Sequence, residues 1–146
     1  MTARILCLAL LGAFIVPALT APPAVAAGGP EAYLAYRIRV ARGEAHYRLD
    51  AGLTRLAEKR AQEIALGAFA HRYLTEVPCG WGEVVAWSSR EPITSVRWVM
   101  SAWRRSATHW AVITGAWGHY GVGTYYRNGA WYMAVVFAQC RIGAAA

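Results

Sequence analysis

Lysine is almost absent from this 146-residue chain, in which fourteen of the fifteen basic residues are arginine and Lys59 is the exception. Acidic residues are also few, and eight of them against fifteen basic residues give a formal net charge of +7. A basic protein is drawn to anionic partners, which for an exported chain include cell-wall polymers and lipid headgroups. The arginines are scattered rather than aligned in a stripe, so the sequence does not predict a nucleic-acid-binding protein.

Only one long hydrophobic run is present, and it lies at the amino terminus. Arg4 precedes the apolar residues 5–16, and the small residues Ala24-Val25-Ala26 form a cleavage site, which is the pattern of a secretory signal peptide. We predict a signal peptide over residues 1–26 and one exported domain over residues 27–146, without a transmembrane segment in the mature chain. The alternative is an uncleaved membrane anchor, but the run is short for a bilayer.

Cysteine is scarce, with three in the chain, and Cys7 falls in the predicted signal peptide. The remaining pair, Cys79 and Cys140, is typical of a disulfide in an exported protein. Closing a loop of this length stabilises the fold by on the order of 4 kcal/mol in the chain-entropy model. A metal site built on both cysteines is the alternative, although their spacing matches no closed zinc motif.

Hydrophobic periodicity predicts helices in the earlier part of the domain and a β-hairpin at its carboxyl end. The sequence contains no internal repeat. Asn128-Gly129 joins two runs rich in Tyr, Trp and Val, which is the strongest short-range signal for a hairpin. Asp50 fits a helix N-cap and Gly67 a helix C-cap. The predicted elements are helices over residues 30–42, 51–66 and 93–106, a strand over 83–87, and hairpin strands over 122–127 and 130–138. This order predicts an α+β domain in which helices flank a small, mainly antiparallel sheet.

Two imidazoles and a carboxylate, from His71, Glu83 and His109, are the candidate functional residues. His71 follows the end of the second helix, Glu83 begins a strand, and His109 follows the third helix or continues it. Such a set is able to bind Zn²⁺ or another divalent cation, to move protons, or to form hydrogen bonds in a cleft. The residue types alone do not choose among these uses.

The order of short motifs along the chain resembles that of a known family. Phe69-Ala70-His71 is followed by Gly82-Glu83-Val84, by Trp103-x-x-Ser106-x-x-His109 and by Gly121-Val122-Gly123. Arg37 and the Ala-rich second helix fit the preceding elements. This order, over residues 33–137, resembles bacterial members of the CAP superfamily (the SCP, or cysteine-rich secretory, antigen 5 and pathogenesis-related, group). The resemblance implies an α/β/α sandwich whose central cavity holds His71, Glu83 and His109, and it suggests a lipid or cell-envelope ligand.

The chain departs from the family pattern in ways that bear on the site. Val84 stands where the family usually has Asn, which we expect to remove a hydrogen-bonding group beside the cavity. Ser106 stands where eukaryotic members have a second acid, and Glu76 is a candidate replacement carboxylate. His119 lies too close to the Gly-Val-Gly motif to be the second histidine.

Two classes of function follow. The first is an exported binding module for a divalent cation, a lipid or a cell-envelope ligand, with some of the seven tryptophans lining a cleft. The second is a metal-assisted or Ser/His hydrolase of peptide or ester bonds, since Ser106 and His109 lie three residues apart. No nucleophile elbow or oxyanion-hole motif is visible in the sequence.

Overall fold

A computed structural model of the protein describes residues 28–43 and 48–143. The predicted signal peptide, its cleavage site and Cys7 lie outside these residues. The described elements are α1 (Gly29–Ala41), β1 (Arg48–Leu49), α2 (Ala51–Ala65), β2 (Trp81–Ser88), α3 (Pro92–Arg105), α4 (Ala107–Thr114), β3 (His119–Arg127) and β4 (Ala130–Ala138). Within the described ranges, no helix combines the length and the apolar character needed to cross a bilayer.

The four strands form one sheet in the order β1-β3-β4-β2. β3 and β4 form the predicted hairpin, and Asn128 and Gly129 both adopt positive φ angles, 49° and 78°, as a tight hairpin turn requires. β2 runs antiparallel to β4 and lies at one end of the sheet. The two-residue strand β1 pairs in parallel with β3, so the sheet is mixed but mainly antiparallel.

Helices cover both faces of the sheet, which confirms the predicted α+β class and the α/β/α layering. One face packs against α2, through Leu53, Ala57 and Ile64 from the helix and Val136 from β4. The opposite face packs against α1, α3 and α4, in a larger core to which each of the three helices contributes. Val84 is fully buried in that second core. Since side chains alternate along a strand, Val84 lies on the opposite face from Glu83, so the expectation that it borders the same cavity is wrong.

The helix α2 lies unusually close to β3 because the strand carries glycine at two facing positions. A Cβ atom added at Gly121 would lie 2.0 Å from the backbone carbon of Leu53, and one at Gly123 would lie 2.2 Å from that of Ala57. The Gly-Val-Gly motif is therefore a packing motif, which allows the helix backbone to rest directly on the strand. The N-cap of α2 is the predicted one, since the Asp50 carboxylate accepts a hydrogen bond of 3.0 Å from the amide of Leu53.

The third helical segment divides at Ser106. This residue adopts an extended conformation, with φ −96° and ψ 111°, and it ends α3 and precedes the first turn of α4. His109 therefore belongs to a short separate helix, which was one of the two arrangements that the sequence left open. Arg42 donates hydrogen bonds to the carbonyls of Ile113 and Gly115 at the other end of α4. These bonds satisfy helix carbonyls that otherwise have no intrahelical partner.

The predicted disulfide is present between Cys79 and Cys140, which lie 61 residues apart. It joins the chain just before β2 to the chain just after β4. The loop that carries His71 lies between α2 and β2, and it is thereby anchored at its carboxyl end to the sheet.

Candidate functional site

Glu83 lies on β2, at the end of the sheet, on the face that α2 covers. Its side chain is only 1% exposed. Removing a carboxylate from water is costly unless charged or hydrogen-bonding groups replace the water. The partners of Glu83 therefore determine what the site can do.

The first partner of Glu83 is Arg60, a residue that sequence reasoning did not select. Its Nε donates to Oε1 of Glu83 over 2.6 Å, and its side chain is also 1% exposed. Arg60 is placed on the buried stripe of α2, one turn after Ala57. A charged residue at a buried helix position needs a partner, and this signal could have identified Arg60 from the sequence.

The second partner of Glu83 is His71, whose Nδ1 lies 2.7 Å from Oε2. A carboxylate is an acceptor, so this contact places the proton of a neutral imidazole on Nδ1 and leaves the lone pair on Nε2. The His71 side chain is 54% exposed, so the imidazole extends from a buried carboxylate towards solvent. The structure therefore brings His71 and Glu83, two of the three predicted residues, into direct contact.

His109, the third predicted residue, has a different partner. Its Nδ1 lies 2.7 Å from Oγ of Ser106, the residue before the first turn of α4. This hydroxyl forms no capping bond with the helix amides, since it is directed to the imidazole instead. Burial lowers the pKa of His109, and the charge of His71 lowers it further. The two imidazoles thus influence each other electrostatically.

A chain of ion pairs continues from the buried carboxylate to the surface. Arg60 also contacts Glu63, which accepts a bond of 3.1 Å from Arg72. Arg72 in turn binds Glu76 at 2.9 Å. The hydrogen bonds from Arg72 are the main reason that the pKa of Glu76 falls to about 2. Glu76, the candidate replacement carboxylate, is therefore engaged by this chain.

The described residues include no group of three or more His, Cys, Asp or Glu side chains that is arranged to hold a metal ion. The three-ligand site of His71, Glu83 and His109 accordingly stays a prediction. The imidazoles of His71 and His109 each have an oxygen partner at Nδ1. Metal-binding histidines commonly use this arrangement to orient Nε2.

The seven tryptophans are distributed between core and surface, as expected for so small a domain. Trp103 is buried, whereas Trp87 and Trp98 are 51% and 42% exposed. Trp87 lies on the same face of β2 as Glu83, four residues further along the strand. Exposed aromatic surface is therefore present on the strand that carries the candidate site.

Comparison with known proteins gives a fold and no family assignment. The sequence matches no family model and no curated protein. Among solved structures, an outer surface protein from Borrelia burgdorferi aligns with a TM-score of 0.58 and 16% identity, over 71% of this chain and 87% of that one. NaASP2, solved with Zn²⁺, aligns with a TM-score of 0.52 and 14% identity, over 73% of this chain and 75% of that one. The architecture is consistent with a CAP-like fold, as the motif order suggested.

Proposed function

We propose that this protein is an exported, CAP-like binding module that holds a divalent cation at the imidazoles of His71 and His109. One observation supports the proposal above the others. Each Nδ1 has an oxygen partner at 2.7 Å, the carboxylate of Glu83 in one case and the hydroxyl of Ser106 in the other. The Ser106 hydroxyl is able to accept from Nδ1, which makes Nε2 of His109 the free acceptor.

Two imidazole nitrogens suit Zn²⁺ or a similar cation, with water in the remaining positions. When bound, the cation would supply a Lewis acid at the surface of the domain. The protein's own residues supply orientation: Glu83 fixes the ring of His71, and Ser106 fixes the ring of His109. With two protein ligands the affinity is expected to be modest, and protonation of either imidazole competes with the cation.

Zinc titration by calorimetry tests this proposal. We expect one zinc ion per chain at pH 7.5, and loss of binding in both His71→Ala and His109→Ala. His119→Gln is the matched control, because it removes a histidine of β3 and leaves the pair intact. If the histidine variants bind zinc as the wild type does, or if the wild type binds none, the cation site does not exist.

The exported location is also part of the proposal. A disulfide between Cys79 and Cys140 is compatible with an oxidising compartment, where such bonds persist. The predicted cleavage site gives a direct test, since the mature chain should begin at Ala27 when the full-length gene product is recovered from outside the cytoplasm. Mass spectrometry of the intact protein measures this, and an uncleaved amino terminus would argue for an anchor instead.

A lipid or cell-envelope ligand stays a prediction, and one cleft has suitable chemistry for it. A cleft of about 380 Å³ between α1, α3 and α4 is lined by Val40, Met100 and Trp110 and by the cations Arg37 and Arg104. Apolar walls beside two guanidinium groups suit an amphiphile with an anionic head. Mass spectrometry of material that copurifies with the protein should detect such a ligand. Arg104→Glu should abolish copurification, whereas Arg127→Glu should not.

Hydrolysis is the second candidate function, and the contact between Ser106 and His109 is the observation that favours it. The carboxylate that would orient the base is bound to His71 rather than to His109, so no Ser-His-acid triad is assembled by these three side chains. A hydrolase of this kind should lose turnover of ester substrates in Ser106→Ala, while its zinc affinity falls by no more than about 100-fold. If the wild type hydrolyses neither esters nor peptides, the binding module is the remaining candidate function.

A further inference from the structure

Arg60 contacts three different groups through one buried guanidinium. Its Nη2 donates to the backbone carbonyl of Ala70 over 2.7 Å, in addition to the bond from Nε to Glu83 and the contact of Nη1 with Glu63. Ala70 directly precedes His71. One buried guanidinium therefore fixes both the carboxylate that holds the imidazole and the backbone from which the imidazole extends.

The contact with Arg60 also changes what Glu83 can do for a cation. Oε1 faces Nε of Arg60 at 2.6 Å, and Oε2 faces both Nδ1 of His71 at 2.7 Å and Nη2 of Arg60 at 3.5 Å. A divalent cation that bound Glu83 directly would be placed next to a buried guanidinium, and the two positive charges would repel each other in a poorly solvated position. Glu83 is thus able to orient His71 but is withheld from the cation.

We propose that Arg60 determines the cation selectivity of the site by keeping Glu83 out of direct ligation. This inference deepens the proposed cation-binding function and rests on it. Two imidazole donors without a carboxylate favour cations that accept nitrogen ligands, such as Zn²⁺, Cu²⁺ and Ni²⁺. Mn²⁺, which prefers oxygen ligands, gains little from such a site until the carboxylate is released.

The experiment compares Zn²⁺ and Mn²⁺ binding in the wild type, Arg60→Met and Arg60→Lys, after unfolding curves have shown that each variant is folded. Methionine has a similar length and no charge, so it releases Glu83. We expect manganese affinity to rise about tenfold or more in Arg60→Met. Changes of this size are typical when a residue that contacts a metal ligand is replaced. Arg60→Lys keeps the charge without the fork of donors, so its manganese affinity should stay near that of the wild type.

A folded Arg60→Met protein with unchanged manganese affinity overturns the inference. If this variant does not fold, Glu83→Gln decides the matter. A withheld Glu83 predicts weaker zinc binding by about 10- to 100-fold, with the ratio of zinc to manganese affinity unchanged. A changed ratio in Glu83→Gln would show that the carboxylate is a direct ligand. A wild type that binds no zinc overturns the proposed function and this inference with it. A wild type that binds zinc, together with unchanged manganese affinity in Arg60→Met, overturns this inference alone.

Discussion

Substitution of Gly123 by alanine should be among the most damaging single changes available in this protein. A Cβ atom at this position would lie 2.2 Å from both the backbone carbon of Ala57 and the backbone nitrogen of Glu58. Atoms at these separations must move apart by more than about 1 Å to reach ordinary contact, and a helix backbone cannot yield as a flexible side chain can. The helix α2 therefore has to withdraw from β3.

Two effects of the substitution oppose each other, and their magnitudes decide whether the free energy of unfolding rises or falls. Replacing glycine by alanine restricts the unfolded chain, which stabilises the protein by about 0.4–1 kcal/mol. Overpacking a core costs about 1–3 kcal/mol, and more where backbone must shift. We expect a net loss of at least about 2 kcal/mol in the free energy of unfolding. Zinc affinity should fall as well, because Arg60 lies one turn after Ala57 and would withdraw with the helix.

Urea denaturation followed by tryptophan fluorescence measures the stability, and Gly143→Ala is the matched control. A Cβ atom at Gly143 would meet no atom within 4 Å, so the control carries the effect on the unfolded chain without the clash. Its free energy of unfolding should match or slightly exceed that of the wild type. If Gly123→Ala loses less than about 1 kcal/mol relative to this control, the close approach of α2 to β3 does not stabilise the fold.

Three further predictions concern stability. Replacing Cys79 and Cys140 by alanine should lower the free energy of unfolding by on the order of 4 kcal/mol, and an unchanged melting temperature would contradict this. The pKa of Glu76 is lowered from 4.5 to about 2, chiefly by hydrogen bonds from Arg72, so its stabilising effect should be complete above pH 4.5 and lost as the pH falls towards 2. Glu76→Gln should therefore flatten the pH dependence of the melting temperature in that window, and a profile identical to that of the wild type would refute the assignment. Arg42→Met removes the donors at the end of α4 and should cost about 1–3 kcal/mol in urea denaturation, whereas a neutral result would show that water replaces them.

The parts of the fold that the sequence predicted are those specified by local signals. The hairpin follows from Asn128-Gly129, whose positive φ angles are read directly from the residue types. The helix α2 follows from its periodicity and from the cap at Asp50. The strand β1 was missed because its two residues, Arg48 and Leu49, are both exposed and form no alternating pattern. Their pairing with β3 is a long-range contact that no local signal encodes.

The same distinction applies to the site. The contact between His71 and Glu83 joins residues twelve positions apart, and motif order was enough to select both of them. Arg60 was read as part of the helix face, because periodicity shows that a position is buried but does not show which partner it meets there. The sequence contained the anomaly of an arginine on an apolar stripe, whereas the partner became evident only once α2 was placed on the sheet.

The candidate site and the core of this domain depend on the same contact, which is the packing of α2 against β3. The glycines of β3 allow the backbone of α2 to contact the sheet. This close approach places Nε of Arg60 2.6 Å from Oε1 of Glu83. Any change that lifts the helix must separate two buried charges, which is far more costly than losing an exposed ion pair. The withdrawal also releases the carbonyl of Ala70, and with it the backbone that leads to His71. Variants that weaken packing between α2 and β3 should therefore lose stability and cation affinity together, whereas variants of the opposite core, such as Val84→Ala, should lose stability with little change in cation affinity.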